Sequence, residues 1–262
     1  QRGNSGTMSS SKVQMFLSLA FSVSVASADS AIWSAGSAYT IPKGRWEMGL
    51  FQPLRHGQTD RLEWSTHPLW NILIPNLSIK VAWPPFDNWT FASRHTLFYP
   101  TPLLRKITHE GKFGIISPEF TIPHMVSIRN ELLLTRRLGR SGLMTGRTGV
   151  ALGFASESLD ERNTIDLPLV FPRLADFYSG YGVNIGLDIL RRITGQIDYL
   201  IDADIILHPG ISEAFAFEHK GLFIWNRSSQ FRINFGYKLV YGEYPFGTQW
   251  HLFPLFDLQW GW

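Results

Sequence analysis

The feature of this sequence that most constrains its fold is an alternation of apolar and polar residues at every second position. It is clearest in TGQIDYLIDADIIL, residues 194–207, where the odd positions are apolar and the even positions include Asp198, Asp202 and Asp204. Because successive side chains of a β-strand point to opposite faces, this period predicts a strand with one apolar and one polar face. A helix of the same sequence would scatter the three aspartates around its circumference.

The same alternation recurs along the chain. Residues 181–189 and 230–242 repeat it closely, residues 141–154 keep it at most positions, and residues 77–83 and 89–99 follow it more loosely. Residues 100–180 otherwise alternate poorly. The chain is therefore predicted to be built from amphipathic strands, with the least regular part near its middle.

The predicted strands are long. Several run for about 10 to 14 residues, whereas strands of soluble proteins usually have about five or six. A strand that crosses a bilayer at a tilt of about 45° needs about 9 to 11 residues. Turn-like stretches separate the segments, as at residues 83–86, 208–210 and 244–247. This spacing predicts about twelve strands, within a range of about 10 to 14, joined by short connections.

A sheet with one apolar face can bury that face in a core, as in a sandwich or a lipocalin, or turn it toward lipid. Lipid cannot pair open strand edges, so the second arrangement requires a closed barrel. The chain is 14% aromatic with 10 Trp, and many of these rings fall at the ends of predicted strands, as lipid–water boundaries favour. We therefore predict an all-β fold, a closed antiparallel transmembrane β-barrel. The soluble alternative explains the alternation equally well, but neither the strand length nor the terminal aromatics.

The N-terminal region has the pattern of a secretory signal peptide. Lys12 supplies a basic n-region, residues 13–25 form a short apolar h-region, and Ala26-Ser27-Ala28 matches a cleavage site. We predict two parts of the chain: residues 1–28 are upstream sequence and signal peptide, and residues 29–262 are the barrel. Cleavage is expected near Ala28, so the protein is predicted to be exported.

The end of the chain carries a second indication of location. The apolar face of the last predicted strand includes Phe256, Leu258, Trp260 and Trp262. With the signal peptide, the absence of cysteine and the amphipathic strands, this ending resembles the outer-membrane β-barrel proteins of Gram-negative bacteria, porin-like and transporter-like members included. The resemblance implies that the barrel-assembly machinery reads these four residues, and that outer-membrane lipid surrounds the barrel.

Charged residues on the polar faces are predicted to line the lumen. By parity they are Arg61, Glu63, Lys80, Arg94, Arg147, Asp188, Asp198, Asp202, Asp204, Arg232, Lys238 and Asp257. One interpretation is an acidic wall that faces a basic wall and orients polar solutes. The alternative is a network of salt bridges that fills the lumen, since a buried charge needs a partner. Residues 69–77, LWNILIPNL, are a further candidate for a kink or plug.

No motif in the sequence indicates catalysis. Ser93 and His95 lie two residues apart and are predicted to face lipid, but G-x-S-x-G is absent, and so are H-E-x-x-H and a phosphate loop. We expect no metal and no cofactor. The net charge of +3 is scattered, so no nucleic-acid partner is expected either.

The predicted function is a narrow channel or transporter for small solutes, without enzymatic activity. Two alternatives remain open: a non-conducting structural or anchoring barrel, and a lipid-modifying outer-membrane enzyme. The sequence indicates neither the solute nor the oligomeric state.

Overall fold

The computed structural model describes residues 33–34, 36–112, 114–160, 173–212, 214–244 and 247–262. Within them, twelve antiparallel strands form one closed barrel, as the sequence predicted. The strands are β1 (Trp46–Gly49), β2 (Leu54–Thr59), β3 (Leu62–Thr66), β4 (Asn76–Ala82), β5 (Trp89–Phe98), β6 (Met125–Leu138), β7 (Gly142–Ala155), β8 (Tyr181–Thr194), β9 (Ile197–Leu207), β10 (Phe215–Asn226), β11 (Phe231–Tyr244) and β12 (Gly247–Gly261). The predicted signal peptide lies outside the described residues.

Each strand pairs with its neighbours in sequence, and β12 closes the barrel by pairing with β1. The closing register sets Glu47 opposite Gly261 and Met48 opposite Trp260. The first four strands have only 4 to 7 residues, and the other eight have 10 to 15. Closure removes the open sheet edge that an amphipathic sheet would otherwise expose.

The two ends of the barrel differ. One end, which we call the turn end, holds the beginning of β1, the end of β12 and the connections 60–61, 83–88, 139–141, 195–196 and 227–230. The opposite end, the loop end, holds the connections 50–53 and 67–75 and the described parts of the connections 99–124, 156–180 and 208–214. Two of these, 99–124 and 156–180, are longer than the short connections the sequence predicted. They lie in the stretch of the chain that alternates poorly.

The described residues include three short helices, all in loop-end connections: α1 (Pro68–Asn71), α2 (Thr101–Ile107) and α3 (Asp176–Ser179). In this part of the chain, no helix has both the length and the apolar character needed to cross a membrane. The helices and their flanking residues build an apolar cluster at the loop end. Its buried members are Ile74, Phe98, Leu104, Ile116, Ile122, Met125, Leu174 and Phe177. The candidate plug, residues 69–77, therefore contributes Ile74 to this cluster.

The barrel has its apolar side chains on the outside and its charged side chains on the inside, the reverse of a soluble protein. Along β9, Ile197, Ile201 and Ile205 point outward and are 39–41% exposed, whereas Asp198 and Asp202 point inward and are buried. Large apolar side chains are exposed in the same way on β8, β11 and β12. The exterior is thus an apolar surface, and the polar faces of the strands enclose the lumen.

The glycine at position 153 lets α3 approach the sheet closely. A Cβ at Gly153 would overlap the carbonyl of Asp176, in the backbone of α3. We predict that Gly153→Ala displaces α3 from the loop end and lowers the free energy of unfolding by about 1–3 kcal/mol. Limited proteolysis of the folded protein should show faster cleavage around α3.

Gly146 is the matched control, because it lies in the same strand and a Cβ there meets nothing within 4 Å. If Gly153→Ala and Gly146→Ala were cleaved at the same rate as the unmodified protein, α3 would not depend on this contact.

The barrel lumen as the candidate functional site

The inward-facing side chains enclose a chamber of about 490 Å³. Charged groups of both signs line it, among them Arg94, Glu131, Arg147, Asp188 and Lys220. Each projects from the polar face of its strand. Because alternate side chains point to opposite faces of the sheet, the same alternation that predicts the strands places these groups in the lumen.

Arg147 on β7 is the centre of the main charged cluster. Its Nη1 donates to Asp188 Oδ2 at 2.6 Å, and its Nη2 donates to Asp202 Oδ1 at 2.9 Å. Its Nε and Nη2 also donate to the two oxygens of Asp204 at 2.9 and 2.6 Å. Lys220 adds a second cation, 2.7 Å from Asp202. The strand register explains why so many carboxylates surround Arg147, because Asp188 and Asp202 lie directly opposite each other on β8 and β9.

Further ion pairs join strands around the barrel. The pairs are Lys80–Glu63 at 3.2 Å, Arg94–Glu131 at 2.8 Å, Lys238–Glu218 at 2.9 Å, Arg192–Asp198 at 2.8 Å and Arg55–Glu47 at 3.4 Å. Each of these carboxylates therefore has a cation on an adjacent strand. The sequence left two interpretations of the lumen charges open, and this geometry corresponds to the salt-bridge network.

Part of the lumen is occupied by the chain that precedes β1. We call residues 33–34 and 36–42 the inner segment. The backbone N–H of Ala38 donates to Thr135 Oγ1 on β6 at 2.7 Å, and Ala38 packs against Ala92 and Leu133. The ring of Trp33 lies 4.1 Å from the Arg232 guanidinium. These contacts reach opposite parts of the wall, so the inner segment lies inside the barrel.

Glu63 on β3 is the main anchor of the inner segment. Its Oε2 accepts hydrogen bonds from Ser34 Oγ at 2.8 Å and from the backbone N–H of Ile41 at 3.0 Å. Lys80 neutralises the carboxylate and donates to the carbonyls of Ser34 and Ser37, each at 3.3 Å. One buried ion pair thus fixes both limbs of the inner segment.

The loop end of the lumen is narrowed by the residues around α3. Arg173 is 1% exposed, and its Nη2 donates to the Glu243 carbonyl at 2.7 Å. His208 Nε2 and Asp176 Oδ1 are 2.9 Å apart, both buried. These contacts hold the residues around α3 against the ends of β9 and β11. The inner segment contributes Trp33, Gly36 and Ser37 to the lining of the chamber.

The sequence-predicted lumen residues fall into three groups. The chamber wall contains Glu63, Lys80, Arg94, Arg147, Asp188, Asp202, Asp204 and Arg232. Asp198, Lys238 and Asp257 point inward beside it: Asp198 pairs with Arg192, Lys238 pairs with Glu218, and Asp257 accepts a hydrogen bond from the Phe51 backbone at 2.9 Å. Arg61 differs, because it lies in the exposed turn between β2 and β3.

Sequence reasoning missed several charged wall residues. They are Glu47, Arg55, Arg129, Glu131, Glu218 and Lys220. The parity of β10 offered the signal for Glu218 and Lys220, since Ala216, Glu218 and Lys220 alternate with Phe217 and His219. Glu131 lies in the stretch where alternation is weakest. The inner segment had no such signal, because it is not a strand.

Phe256, Leu258, Trp260 and Trp262 lie on or directly after β12, with Phe256, Trp260 and Trp262 exposed on the outside. Recognition of these four residues by the barrel-assembly machinery stays a prediction. In the part of the chain that the structure describes, no group of three or more His, Asp or Glu side chains is arranged so that it could hold a metal ion.

No protein-family model and no curated protein matches the sequence. Similar solved structures include the outer membrane channel DcaP of Acinetobacter baumannii, with 8% identity over 80% of this chain and 61% of that one, and a TM-score of 0.38. They also include Pseudomonas aeruginosa OccK11 (OpdR), with 9% identity over 85% of this chain and 64% of that one, and a TM-score of 0.39. The Yersinia pestis outer membrane protein Ail has 8% identity over 84% of this chain and 100% of that one, and a TM-score of 0.29. The chain covers 61% and 64% of the first two structures.

Removal of the central cation tests the charged cluster. Arg147→Met removes the cation that Asp188, Asp202 and Asp204 share, and we expect it to destabilise the folded barrel by about 3–5 kcal/mol. Urea unfolding in micelles would measure the loss. Arg191→Met is the control, because Arg191 is exposed on the neighbouring strand. Equal stability of the two variants would contradict the cluster.

Proposed function

We propose that the barrel spans the outer membrane of a Gram-negative bacterium. The support is the apolar exterior, which in water would expose Ile185, Leu187, Phe235, Leu252 and Phe256 at 44–67% of their surfaces. Soluble proteins rarely leave so continuous an apolar surface uncovered. The short turns at one end and longer connections at the other are also typical of outer-membrane barrels. Export rests on the predicted signal peptide.

An arginine on the exterior tests this location. Ile185 is 56% exposed on β8, and in a bilayer Ile185→Arg should cost about 2–4 kcal/mol of folding free energy. Folding into lipid vesicles, compared with the apolar control Ile185→Met, would measure the cost. A water-exposed surface tolerates such a change within about 0.5 kcal/mol, so a difference that small would contradict the membrane location.

We further propose that the chamber gives small polar solutes a narrow path through the barrel. The observation that carries this proposal is the polar chamber of about 490 Å³. Each carboxylate of its wall has a cation partner, so the negative charges are neutralised locally. Such a wall suits small neutral or zwitterionic solutes, which can hydrogen-bond to it without paying for an unpaired charge.

A specific observation favours the second candidate, a non-conducting barrel. The inner segment occupies the lumen toward the turn end, and the Glu63–Lys80 pair holds it there. The interior of a twelve-stranded barrel is narrow enough that this segment and the ion-paired side chains can fill its cross-section. The two candidates differ in one property, which is whether a continuous water path crosses the barrel.

Single-channel conductance with a thiol block decides between them. The chain has no cysteine, so Thr96→Cys on the chamber wall and Leu97→Cys on the exterior are a matched pair from adjacent positions. We expect discrete openings in a planar bilayer, and a charged methanethiosulfonate reagent should reduce them in Thr96→Cys only. Folded protein without openings would favour the sealed barrel. An equal block in both variants would contradict the path through the chamber.

A further inference from the structure

A hydrogen-bonded chain of three polar side chains lies on the outside of the barrel. Ser93 and His95 are on β5, and Asn130 is on β6 directly opposite His95. Ser93 Oγ and His95 Nε2 are 3.1 Å apart, and His95 Nδ1 and Asn130 Oδ1 are 2.7 Å apart. The chamber residues Arg94 and Glu131 belong to the other face of the same strands, so the chain of three is separate from the lumen.

The surroundings of these three residues are apolar. Cross-strand neighbours include Ile79 opposite His95, Leu132 opposite Ser93 and Val150 opposite Asn130. These three neighbours are 39%, 55% and 41% exposed on the exterior. If this surface meets lipid, as proposed above, a histidine and an amide there are costly, and intramembrane polar groups commonly mark a functional site.

The order of the hydrogen bonds is that of a nucleophile, a base and an orienting group. Asn130 Oδ1 can only accept a hydrogen bond, so His95 Nδ1–H is the donor. That tautomer leaves the lone pair on Nε2, where it can take the proton of Ser93 Oγ. Asn130 has no charge, so it orients the imidazole without placing a carboxylate in the apolar surface.

Trp83 completes the arrangement. Its indole Nε1–H donates to Ser93 Oγ at 3.2 Å, and Ser93 is only 5% exposed beneath it. Trp83 belongs to the turn-end connection 83–88. Its ring therefore covers Ser93 from the turn end of the barrel. The indole hydrogen bond holds Ser93 Oγ in place beside His95 Nε2. The ring, which is 54% exposed, would move aside to admit a substrate.

We propose that Ser93, His95 and Asn130 form an acyl-ester hydrolase site on the lipid-facing surface, and that its substrate is a carboxylic ester of a membrane lipid. The choice of lipid rests on the proposed membrane location. Ser93 Oγ bonds to the ester carbonyl carbon while its proton passes to His95 Nε2. The ester C–O bond breaks, and the leaving alcohol takes that proton. Water then cleaves the acyl-serine, with His95 carrying its proton back to Ser93 Oγ, so ester and water become carboxylic acid and alcohol.

The test uses the refolded full chain in micelles with p-nitrophenyl butyrate, and in phosphatidylethanolamine–phosphatidylglycerol vesicles with fatty-acid release measured by mass spectrometry. A fluorophosphonate should label Ser93. Ser93→Ala and His95→Gln should each lower hydrolysis at least about 100-fold. Ser65→Ala is the matched control, because Ser65 and His67 have the same spacing but His67 Nε2 contacts the Phe51 carbonyl instead.

Asn130 is tested as a positioning residue. We expect Asn130→Ala to lower kcat about tenfold with little change in KM, and Asn130→Asp to restore most of the rate. A purely structural Asn130 would not show this split. Circular dichroism and heat-modifiability on gels would establish that each variant is folded.

Folded protein without fluorophosphonate labelling and without ester hydrolysis would overturn the proposal, as would full activity in Ser93→Ala. Activity on the soluble ester with none on vesicles would overturn the assignment to lipid esters. Ester hydrolysis in micelles does not depend on conduction through the lumen. The hydrolase proposal and the channel proposal are therefore tested independently.

Discussion

The closure of the sheet is the constraint on which the rest of the structure depends. An amphipathic sheet in lipid must pair every backbone N–H and C=O internally, and only a closed barrel leaves no edge unpaired. The pairing of β1 with β12 completes that closure over a short register, from Glu47 opposite Gly261 to Gly49 opposite Gln259. Because the sheet is closed, one face of every strand must turn inward. The polar residues of twelve strands are thereby collected in one lumen.

Collection of charges in a narrow lumen requires that they be paired. Removing two charges from water is expensive, and their attraction offsets the cost only when the geometry is good and the remaining donors are satisfied. Arg147 meets this condition with three carboxylates, and Glu63 meets it with Lys80 and two donors from the inner segment. The same need for partners explains why cations lie beside the carboxylates of the wall. It also explains how a segment that is not a strand can be held inside the barrel.

Much of this architecture could be predicted from the sequence, because the period of two is a local property of each strand. The closed antiparallel barrel and the inward placement of Arg147, Asp188 and Asp202 follow from it, and the spacing of the turns adds a strand number of about twelve. What could not be predicted depends on contacts between distant residues. The inner segment reaches Thr135 across 97 positions of the chain, and the long loop-end connections have no periodic pattern at all.

The external site shows the same division between local and distant information. Parity indicated that Ser93 and His95 share a face, and it predicted that this face meets lipid. The third residue, Asn130, lies 35 positions away and is brought to His95 only by the register of β5 and β6. Parity failed for Arg61 for a related reason, because Arg61 lies in the turn between β2 and β3 and not on a strand.

The inverted arrangement of faces is the central claim, and nitroxide scanning of β9 in lipid vesicles tests it most directly. Single spin labels would be placed at each position from 197 to 207, a strand in which Ile201 and Ile205 face outward and Asp202 faces inward. Collision with lipid-soluble oxygen should rise at odd positions and fall at even ones, with a period of two. An absent period, or odd positions that collide with a water-soluble nickel chelate instead, would contradict the account.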